Sequence, residues 1–345
     1  MHRALVLVTL LISLALAACG PAAAPTPAVQ PAGTSRAPAT ASATAPAKLQ
    51  HVDLGVGYIP NVQFAPLYVA QTKGFYAEEG LDVALEYGFE NDFVALTAQG
   101  KRQFAVASGD QVILARAQGL PVVYVMKWYQ RFPVGVMSPA KLGIDSPKKL
   151  EGHSVGTPVL FGASYVGWKA LVYAAKLNES AIRLETIGYT QAAAVSQGTV
   201  DAAVIYIANE PVQLTQAGTA IAMIQISDYI NLVSNGLVTN ETTIRDNPDL
   251  VRRLVRGTLR GLEYTLAHPD EAFAIARQAV PEITDKDVPT QRAVLDASLA
   301  LWRTDRLGAS DPQAWSDSAK FMLDTGLISS PVDVGKLYTN EFVGK

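Results

Sequence analysis

Carboxylates are the residues of this chain that are best placed for chemistry, because four of them lie near the ends of predicted strands. They are Glu90, Asp92, Asp110 and Glu210. Carboxylates in such positions can act as acids or bases, accept hydrogen bonds from a ligand, or cap a helix. The chain has four histidines, and no two of them have the spacing of metal ligands. We therefore predict no catalytic residue and no metal site.

Two other segments resemble reactive or phosphate-binding motifs and fall short of them. Ser164 lies in GASYVG, where a nucleophile elbow needs glycine two positions after the serine and Val166 stands instead. The segment GVGYIP begins like a dinucleotide-binding loop but has Pro60 where the third glycine should be. Ser164 remains a candidate for ligand binding only.

Three large aromatic residues lie within five positions of the segment KWYQRFP, which spans residues 127–133. They are Trp128, Tyr129 and Phe132, and they follow a predicted strand. Because side chains alternate between the two faces of a strand, Trp128 and Tyr129 are expected to point in opposite directions. Of the two, Trp128 is predicted to face the ligand.

The segments around these residues alternate short apolar runs with helical periodicity, which predicts an α/β protein. A first unit contains the runs HVDLGVGYI, LDVALEYG, QFAVAS and PVVYVMKWY, with helices between them. A second unit contains HSVGTP, IRLETIGY and VDAAVIY, again separated by helices. Strands joined by helices of this length predict a parallel sheet covered on both faces.

The two units contain segments that resemble each other. Residues 95–119 and 193–218 both run from a helix through Gln-Gly, an apolar strand and a polar pair to a second helix and Gly. Generic α/β patterning explains the similarity as well as a true repeat does. If the repeat is real, Asp110 and Gln111 are equivalent to Asn209 and Glu210, just past the carboxyl end of a strand. Open α/β sheets bind ligands at such positions.

After residue 235 the sequence predicts helices over 248–267, 269–279, 287–302 and 312–325. Their apolar stripes need a partner surface, so they are expected to complete the first lobe after the chain returns from the second. Crossings are predicted near 133–139 and 234–236. Lobe 1 then comprises 49–136 with 236–345, and lobe 2 comprises 137–235.

The N-terminus predicts export and membrane attachment. Residues 1–18 have the basic start and short apolar core of a signal peptide. The sequence Leu16-Ala17-Ala18-Cys19-Gly20 resembles a lipobox, which predicts acylation of Cys19, the only cysteine; an ordinary cleaved signal is the alternative. Residues 19–48 are rich in Ala, Pro, Thr and Ser and should form a disordered tether. The predicted location is the extracytoplasmic face of the cell membrane.

A net charge of −3 argues against nucleic acid as a partner.

Four segments of the part of the chain after residue 50 resemble the periplasmic solute-binding proteins of ABC importers, in the group for thiamine precursors, sulfonates and nitrate. The similarity extends over residues 50–340 and rests on 56–88, 103–125, 145–158 and 235–241. It implies a type II periplasmic-binding-protein fold, in which two αβ lobes with two crossings enclose a ligand. It also implies that a monomer delivers this ligand to an ABC permease with a cytoplasmic ATPase.

The predicted cleft loops carry too much aromatic surface for a small anion, since aromatic faces suit flat heterocycles. Residues 89–136 are most similar to the branch that imports riboflavin, which is expected as a transported ligand rather than a cofactor. A thiamine pyrimidine precursor, formylaminopyrimidine or hydroxymethylpyrimidine, is the alternative. A pyrimidine synthase on the same fold is disfavoured because that enzyme uses a cysteine-rich motif, and this chain has no cysteine cluster.

The predicted ligand-binding residues are Tyr58, Asn61, Phe64, Asn91, Asp92, Asp110, Gln111, Trp128, Tyr129, Phe161, Ser164, Tyr165, Tyr189, Tyr206, Asn209 and Glu210. Trp128 and Tyr165 are both expected on cleft-facing loops, so that alanine there weakens binding without unfolding the protein.

Overall fold

The computed structural model describes residues 48–344. The predicted signal peptide, Cys19 and all of the predicted tether except Lys48 lie outside the described residues. Between residues 48 and 344, no helix combines the length and the apolar character needed to cross a bilayer. The strands are β1 Gln50–Gly57, β2 Leu81–Gly88, β3 Phe104–Ser108, β4 Val122–Lys127, β5 Val134–Pro139, β6 Ser154–Thr157, β7 Arg183–Thr186, β8 Ala202–Tyr206, β9 Ile221–Gln225 and β10 Asn235–Asn240.

The helices alternate with these strands until residue 240 and then follow one another. They are α1 Ala65–Thr72, α2 Phe75–Glu78, α3 Glu90–Ala98, α4 Gly109–Ala117, α5 Gly162–Ala174, α6 Gln191–Ser196, α7 Glu210–Gln216, α8 Glu241–Asp246, α9 Pro248–Ala267, α10 Pro269–Ala279, α11 Val288–Trp302 and α12 Pro312–Asp324. Proline in the first turn starts α9, α10 and α12, where its missing N–H costs no helical hydrogen bond. The four long helices predicted after residue 235 are confirmed.

The strands form two five-stranded sheets, which confirms the predicted α/β class with two lobes. The first sheet has the order β2-β1-β3-β10-β4, and the second has the order β7-β6-β8-β5-β9. Strand β3 is buried along its whole length, as expected for a strand covered by helices on both faces.

The expectation of parallel sheets is wrong for one strand in each sheet. Strand β10 runs antiparallel to both β3 and β4, and β5 runs antiparallel to both β8 and β9. Each of these strands enters its sheet from the other lobe. It therefore starts at the edge where the neighbouring parallel strands end, as the pairing of Asn235 with Ser108 illustrates. Periodicity describes single strands and carries no information about this direction.

The two sheets share one strand order when β5 is matched with β10. In this match β3 corresponds to β8 and α4 to α7, which are the parts of the sequence that resemble each other. Strand β5 pairs within the second sheet from Val134 onward. The predicted lobe boundary between 136 and 137 therefore falls inside this strand, and the chain changes sheet at 128–133 and again at 226–234.

The C-terminal helices pack on the first sheet's side of the molecule. Helix α9 contacts α1 and α2, α10 contacts α1, and α12 contacts α4. The buried face of α9 includes Leu250, Leu254 and Leu262, at the spacing of one helical stripe. These helices thus complete the first lobe around the strand ends that form the site.

Candidate functional site

A cavity with about 890 Å³ of empty space, part of it open to solvent, lies between the two sheets. Its walls come from the segments that follow the carboxyl ends of β1, β2, β4, β6, β7 and β8, and from the start of β10. Ligands of open α/β sheets bind at this edge.

Four aromatic residues from both lobes meet at the partly exposed side of the cavity; we call them the outer aromatic group. Tyr58 and Phe89 belong to lobe 1, and Phe161 and Tyr189 belong to lobe 2. The rings of Tyr58 and Tyr189 meet edge to face at 5.1 Å between centroids. Phe89 contacts Phe161 at 5.7 Å and stacks on Tyr189 at 6.2 Å. The asparagine Nδ2 of Asn209 also donates a hydrogen bond of 3.3 Å to the Tyr58 hydroxyl across the cleft. The lobes therefore touch through residues that line the cavity.

Three further aromatic residues form the buried wall of the cavity, which we call the inner aromatic group. They are Phe64, Trp128 and Tyr129. The ring of Trp128 lies 6.3 Å from that of Phe64 and 6.0 Å from that of Trp302 in α11, and Tyr129 lies 5.9 Å from Trp302. Trp128 is 1% exposed. This group is therefore part of the lobe 1 core as well as of the cavity wall.

The expected alternation of Trp128 and Tyr129 is wrong, since both line the cavity. Strand β4 ends at Lys127, and the backbone N–H groups of Trp128 and Tyr129 both donate to the carbonyl oxygen of Asn235. A chain that turns in this way no longer places successive side chains on opposite faces. The alternation rule fails because both residues lie beyond the end of the strand.

Buried polar atoms on the cavity wall lack hydrogen-bond partners within residues 48–344. They are the Asn91 Oδ1, the Trp128 Nε1 and the Asn235 Oδ1. Buried polar groups in native proteins are nearly always paired, so each unpaired group needs an explanation. One donor and two acceptors on the wall of one cavity are suited to a ligand that carries both acceptors and donors.

Three carboxyl groups lie at or directly behind the cavity, of which Asp110 and Glu210 are buried and Glu90 is half-buried. Burial, reinforced by the nearby charge of Glu90, raises the pKa of Asp110 to about 7. Burial also raises the pKa of Glu210 to about 7. Burial raises the pKa of Glu90, while hydrogen bonds from Ser108 and Ala163 act in the opposite direction. No lysine, arginine or histidine is found among the described residues that line the cavity.

The raised pKa of Asp110 predicts that the ligand-free protein becomes less stable as the pH rises from 6 to 8. Because the folded-state pKa of about 7 exceeds the ordinary value of 3.8, the folded state holds this proton more tightly than the unfolded state. The stability contributed by proton binding is complete below pH 4 and is lost as the pH passes 7. Asp110→Asn should reduce this loss to the part that Glu210 contributes and raise the free energy of unfolding at pH 8 by about 2 kcal/mol.

Thermal unfolding followed by circular dichroism at several pH values measures this effect. Asp92→Asn is a matched control, since Asp92 is exposed on α3 and its replacement should leave the pH dependence unchanged. An Asp110→Asn variant that loses stability with pH as steeply as the wild type would contradict the assignment.

The structure places eleven of the sixteen predicted residues on the cavity wall. They are Tyr58, Phe64, Asn91, Trp128, Tyr129, Phe161, Ser164, Tyr189, Tyr206, Asn209 and Glu210. Asn209 and Glu210, which the repeat made equivalent to Asp110 and Gln111, lie on this wall just after β8, whereas Asp110 and Gln111 do not line it. The third aromatic residue of the segment KWYQRFP, Phe132, is buried in the core and does not line the cavity.

The other five predicted residues lie away from this wall. Asn61 accepts a hydrogen bond from the Gln63 N–H and caps a short 3-10 turn, in a neighbouring groove. Asp92 is exposed on α3. Gln111 accepts a 2.6 Å hydrogen bond from Asn91 and donates one to Asp110, so this pair supports the wall from behind. Tyr165 lies in helix α5 and packs against the core, and the expectation that it occupies a cleft-facing loop is wrong.

Sequence reasoning missed several residues of the cavity wall. Phe89 follows Gly88 at the end of β2, and Asn235 begins β10. Their positions after a strand or at a crossing could have indicated them. Glu90, which the sequence indicated as a carboxylate near a strand end but which was not among the predicted ligand-binding residues, also lies on the wall. The remaining missed residues carried no such signal and are Gly57, Gln63, Val106, Pro158, Val159, Gly162, Ala163 and Gln191.

Two αβ lobes joined by two crossings, with an aromatic cavity between their strand ends that is partly open to solvent, define a two-lobed binding-protein fold. The model of the NMT1/THI5-like family matches residues 61–272, and the chain belongs to this family. A solved relative in fold is the alkanesulfonate-binding protein SsuA from Xanthomonas axonopodis pv. citri bound to MOPS. It is 15% identical with a TM-score of 0.68, and the match covers 86% of this chain and 100% of that one.

Three curated relatives are similar to this chain along most of its length. The riboflavin-binding protein RibY of Chloroflexus aurantiacus is 44% identical over 303 residues, which cover 86% of each protein. The formylaminopyrimidine-binding protein of Halalkalibacterium halodurans is 29% identical, covering 82% of this chain and 88% of that protein. A 4-amino-5-hydroxymethyl-2-methylpyrimidine phosphate synthase of Legionella pneumophila is 24% identical.

Proposed function

We propose that this protein binds riboflavin between its lobes and delivers it to an ABC permease. The observation that carries the proposal is the aromatic cavity with one unpaired donor and two unpaired acceptors on its wall. The isoalloxazine ring is flat and has donors and acceptors along its edges, and the ribityl chain adds hydroxyl groups. Seven aromatic side chains in the outer and inner groups suit three fused rings, because each stacked pair stabilises a complex by about 1 kcal/mol beyond burial. The similarity to a protein named for riboflavin binding supports the same ligand.

Binding is tested by titrating riboflavin with purified protein while following flavin fluorescence. We expect saturable quenching, a rise in melting temperature and yellow protein that releases flavin on denaturation. Formylaminopyrimidine serves as the competing ligand, since a relative is named for its binding. A protein whose melting temperature rises with formylaminopyrimidine and not with riboflavin would refute the choice of ligand.

A binding role rather than catalysis is proposed, although one relative is named as a synthase. The chain has a single cysteine, at position 19, so a cysteine-rich catalytic motif cannot be formed. Incubation of riboflavin-loaded protein followed by extraction should return the ligand unchanged. A modified product in the extract would argue for an enzyme.

Attachment to the extracytoplasmic face of the membrane through Cys19 is part of the proposal. Cys19→Ser removes the thiol that would be acylated, so it should abolish labelling and move the protein out of the membrane fraction. Cell fractionation and metabolic labelling with palmitate measure this change. Ser42→Ala in the same N-terminal region is a control that should leave both readouts unaltered. Labelled, membrane-bound Cys19→Ser protein would exclude this anchor.

A further inference from the structure

The Glu90 side chain occupies a position where the backbone of two helices converges. Its Oε2 accepts hydrogen bonds of 2.9 Å from the backbone N–H and from the hydroxyl of Ser108, the residue that caps α4. Its Oε1 accepts a hydrogen bond of 2.9 Å from the backbone N–H of Ala163, in the first turn of α5. Since α5 belongs to lobe 2, this carboxylate also bridges the cleft.

Two glycines leave the space that this carboxylate needs. A Cβ atom on Gly57 would lie 2.5 Å from the Cβ of Glu90, which is a clash. A Cβ atom on Gly162 would lie 3.2 Å from the Glu90 Oε1, and Gly162 has a φ of +72°, a conformation that other residues rarely adopt. The backbone on both sides of the cleft is thus shaped around the Glu90 side chain.

N–H groups at helix N-termini, with the positive end of the helix dipole, form a common type of anion site. Here all three donors point at a carboxylate that belongs to the protein itself. The described lining of the cavity offers no cationic side chain to receive a second anion. Glu210 lies on the same wall, and the neighbouring groove carries Glu282 and Asp287, also without a lysine, arginine or histidine among its described lining residues.

We propose that Glu90 is a built-in anion that makes the cleft select the uncharged vitamin over its phosphate ester. This inference rests on the proposed function, because it concerns the ligand of the same cavity. A phosphate monoester carries a charge of about −1.5 to −2 at neutral pH. It would have to lose its water next to Glu90 and Glu210 with no cation to replace it, which is unfavourable. Removal of the Glu90 carboxylate frees the amides of Ser108 and Ala163 for an external anion.

The test compares riboflavin with riboflavin 5′-phosphate by fluorescence quenching at pH 7.5. For the wild type we expect the phosphate ester to bind at least ~30-fold more weakly. Glu90→Ala should reduce this ratio by ~10-fold or more. Sulfate, compared with chloride at equal ionic strength, should raise the melting temperature of Glu90→Ala and not that of the wild type. Glu263→Ala removes a charge from an exposed position of α9 and should leave both results as in the wild type.

Each outcome either supports the inference or overturns it. Equal affinity of the wild type for the two flavins would overturn it while leaving the proposed function intact. Failure of both flavins to bind would refute the proposed function instead. If Glu90→Ala does not fold, Glu90→Gln keeps the size of the side chain, and an unchanged affinity ratio in that variant would assign the selectivity elsewhere.

Discussion

Trp128→Ala is expected to destabilise the ligand-free protein by about 3–5 kcal/mol and to weaken riboflavin binding roughly 100-fold. The stability loss follows from burial, since Trp128 is 1% exposed and packs against Phe64 and Trp302. The loss of affinity follows because the same ring lines the cavity and carries an unpaired Nε1 donor. From sequence alone, Trp128→Ala was expected to weaken binding without unfolding the protein. The buried position of Trp128 changes this expectation, because its loss also destabilises the fold.

Chemical denaturation and fluorescence quenching measure the two effects separately. Trp128→Phe keeps an aromatic ring and removes the Nε1 donor, so affinity should fall ~2–10-fold. Trp315→Phe is the matched control. Trp315 is also 1% exposed, but it stacks on Tyr338 away from the cavity, so its replacement should change stability and not affinity. Unaltered riboflavin affinity in Trp128→Ala that is still folded would remove the inner aromatic group from the site.

Tyr189→Ala is expected to weaken riboflavin binding roughly 30-fold while leaving the stability of the ligand-free protein nearly unchanged. Tyr189 contacts Tyr58 and Phe89 of the opposite lobe, so its loss opens the outer aromatic group on the side where solvent enters. The effect should appear mainly as faster dissociation, since most changes in a preformed site alter the off-rate.

Tyr229→Ala provides a close control for this variant. Tyr229 lies in the crossing 226–234 and is 45% exposed, compared with 43% for Tyr189, but it does not line the cavity. Stopped-flow dilution of the riboflavin complex measures the dissociation rate. Equal rates for Tyr189→Ala and Tyr229→Ala would show that the contacts across the cleft do not retain the ligand.

The raised pKa values of the cleft carboxyls and the proposed role of Glu90 describe one electrostatic arrangement. Burial raises the pKa of Asp110 and Glu210 to about 7. Burial also raises the pKa of Glu90, but its three hydrogen-bond donors act in the opposite direction and favour the charged form. An uncharged ligand leaves this arrangement intact. An anionic ligand would raise these pKa values further and bind with proton uptake.

The amino-acid sequence determined the elements of this protein and the edge at which the cavity lies. Alternating apolar runs and helical stripes specify α/β lobes, and prolines at helix starts locate α9, α10 and α12. The ends of strands are visible in sequence, so aromatic residues at or just after them, such as Tyr58, Tyr189 and Tyr206, were predicted and lie on the cavity wall. Local physical chemistry is sufficient for these features because each depends on residues within one turn or strand.

Tertiary structure alone decided the remaining features. The antiparallel insertion of β10 between β3 and β4 depends on the path of the chain through the other lobe. The orientation of Trp128 and Tyr129 depends on their shared hydrogen bonds to Asn235, 106 or more positions along the chain. The contact of Glu90 with Ala163 joins two lobes. Such contacts arise from packing between segments distant in sequence, and no local pattern encodes them.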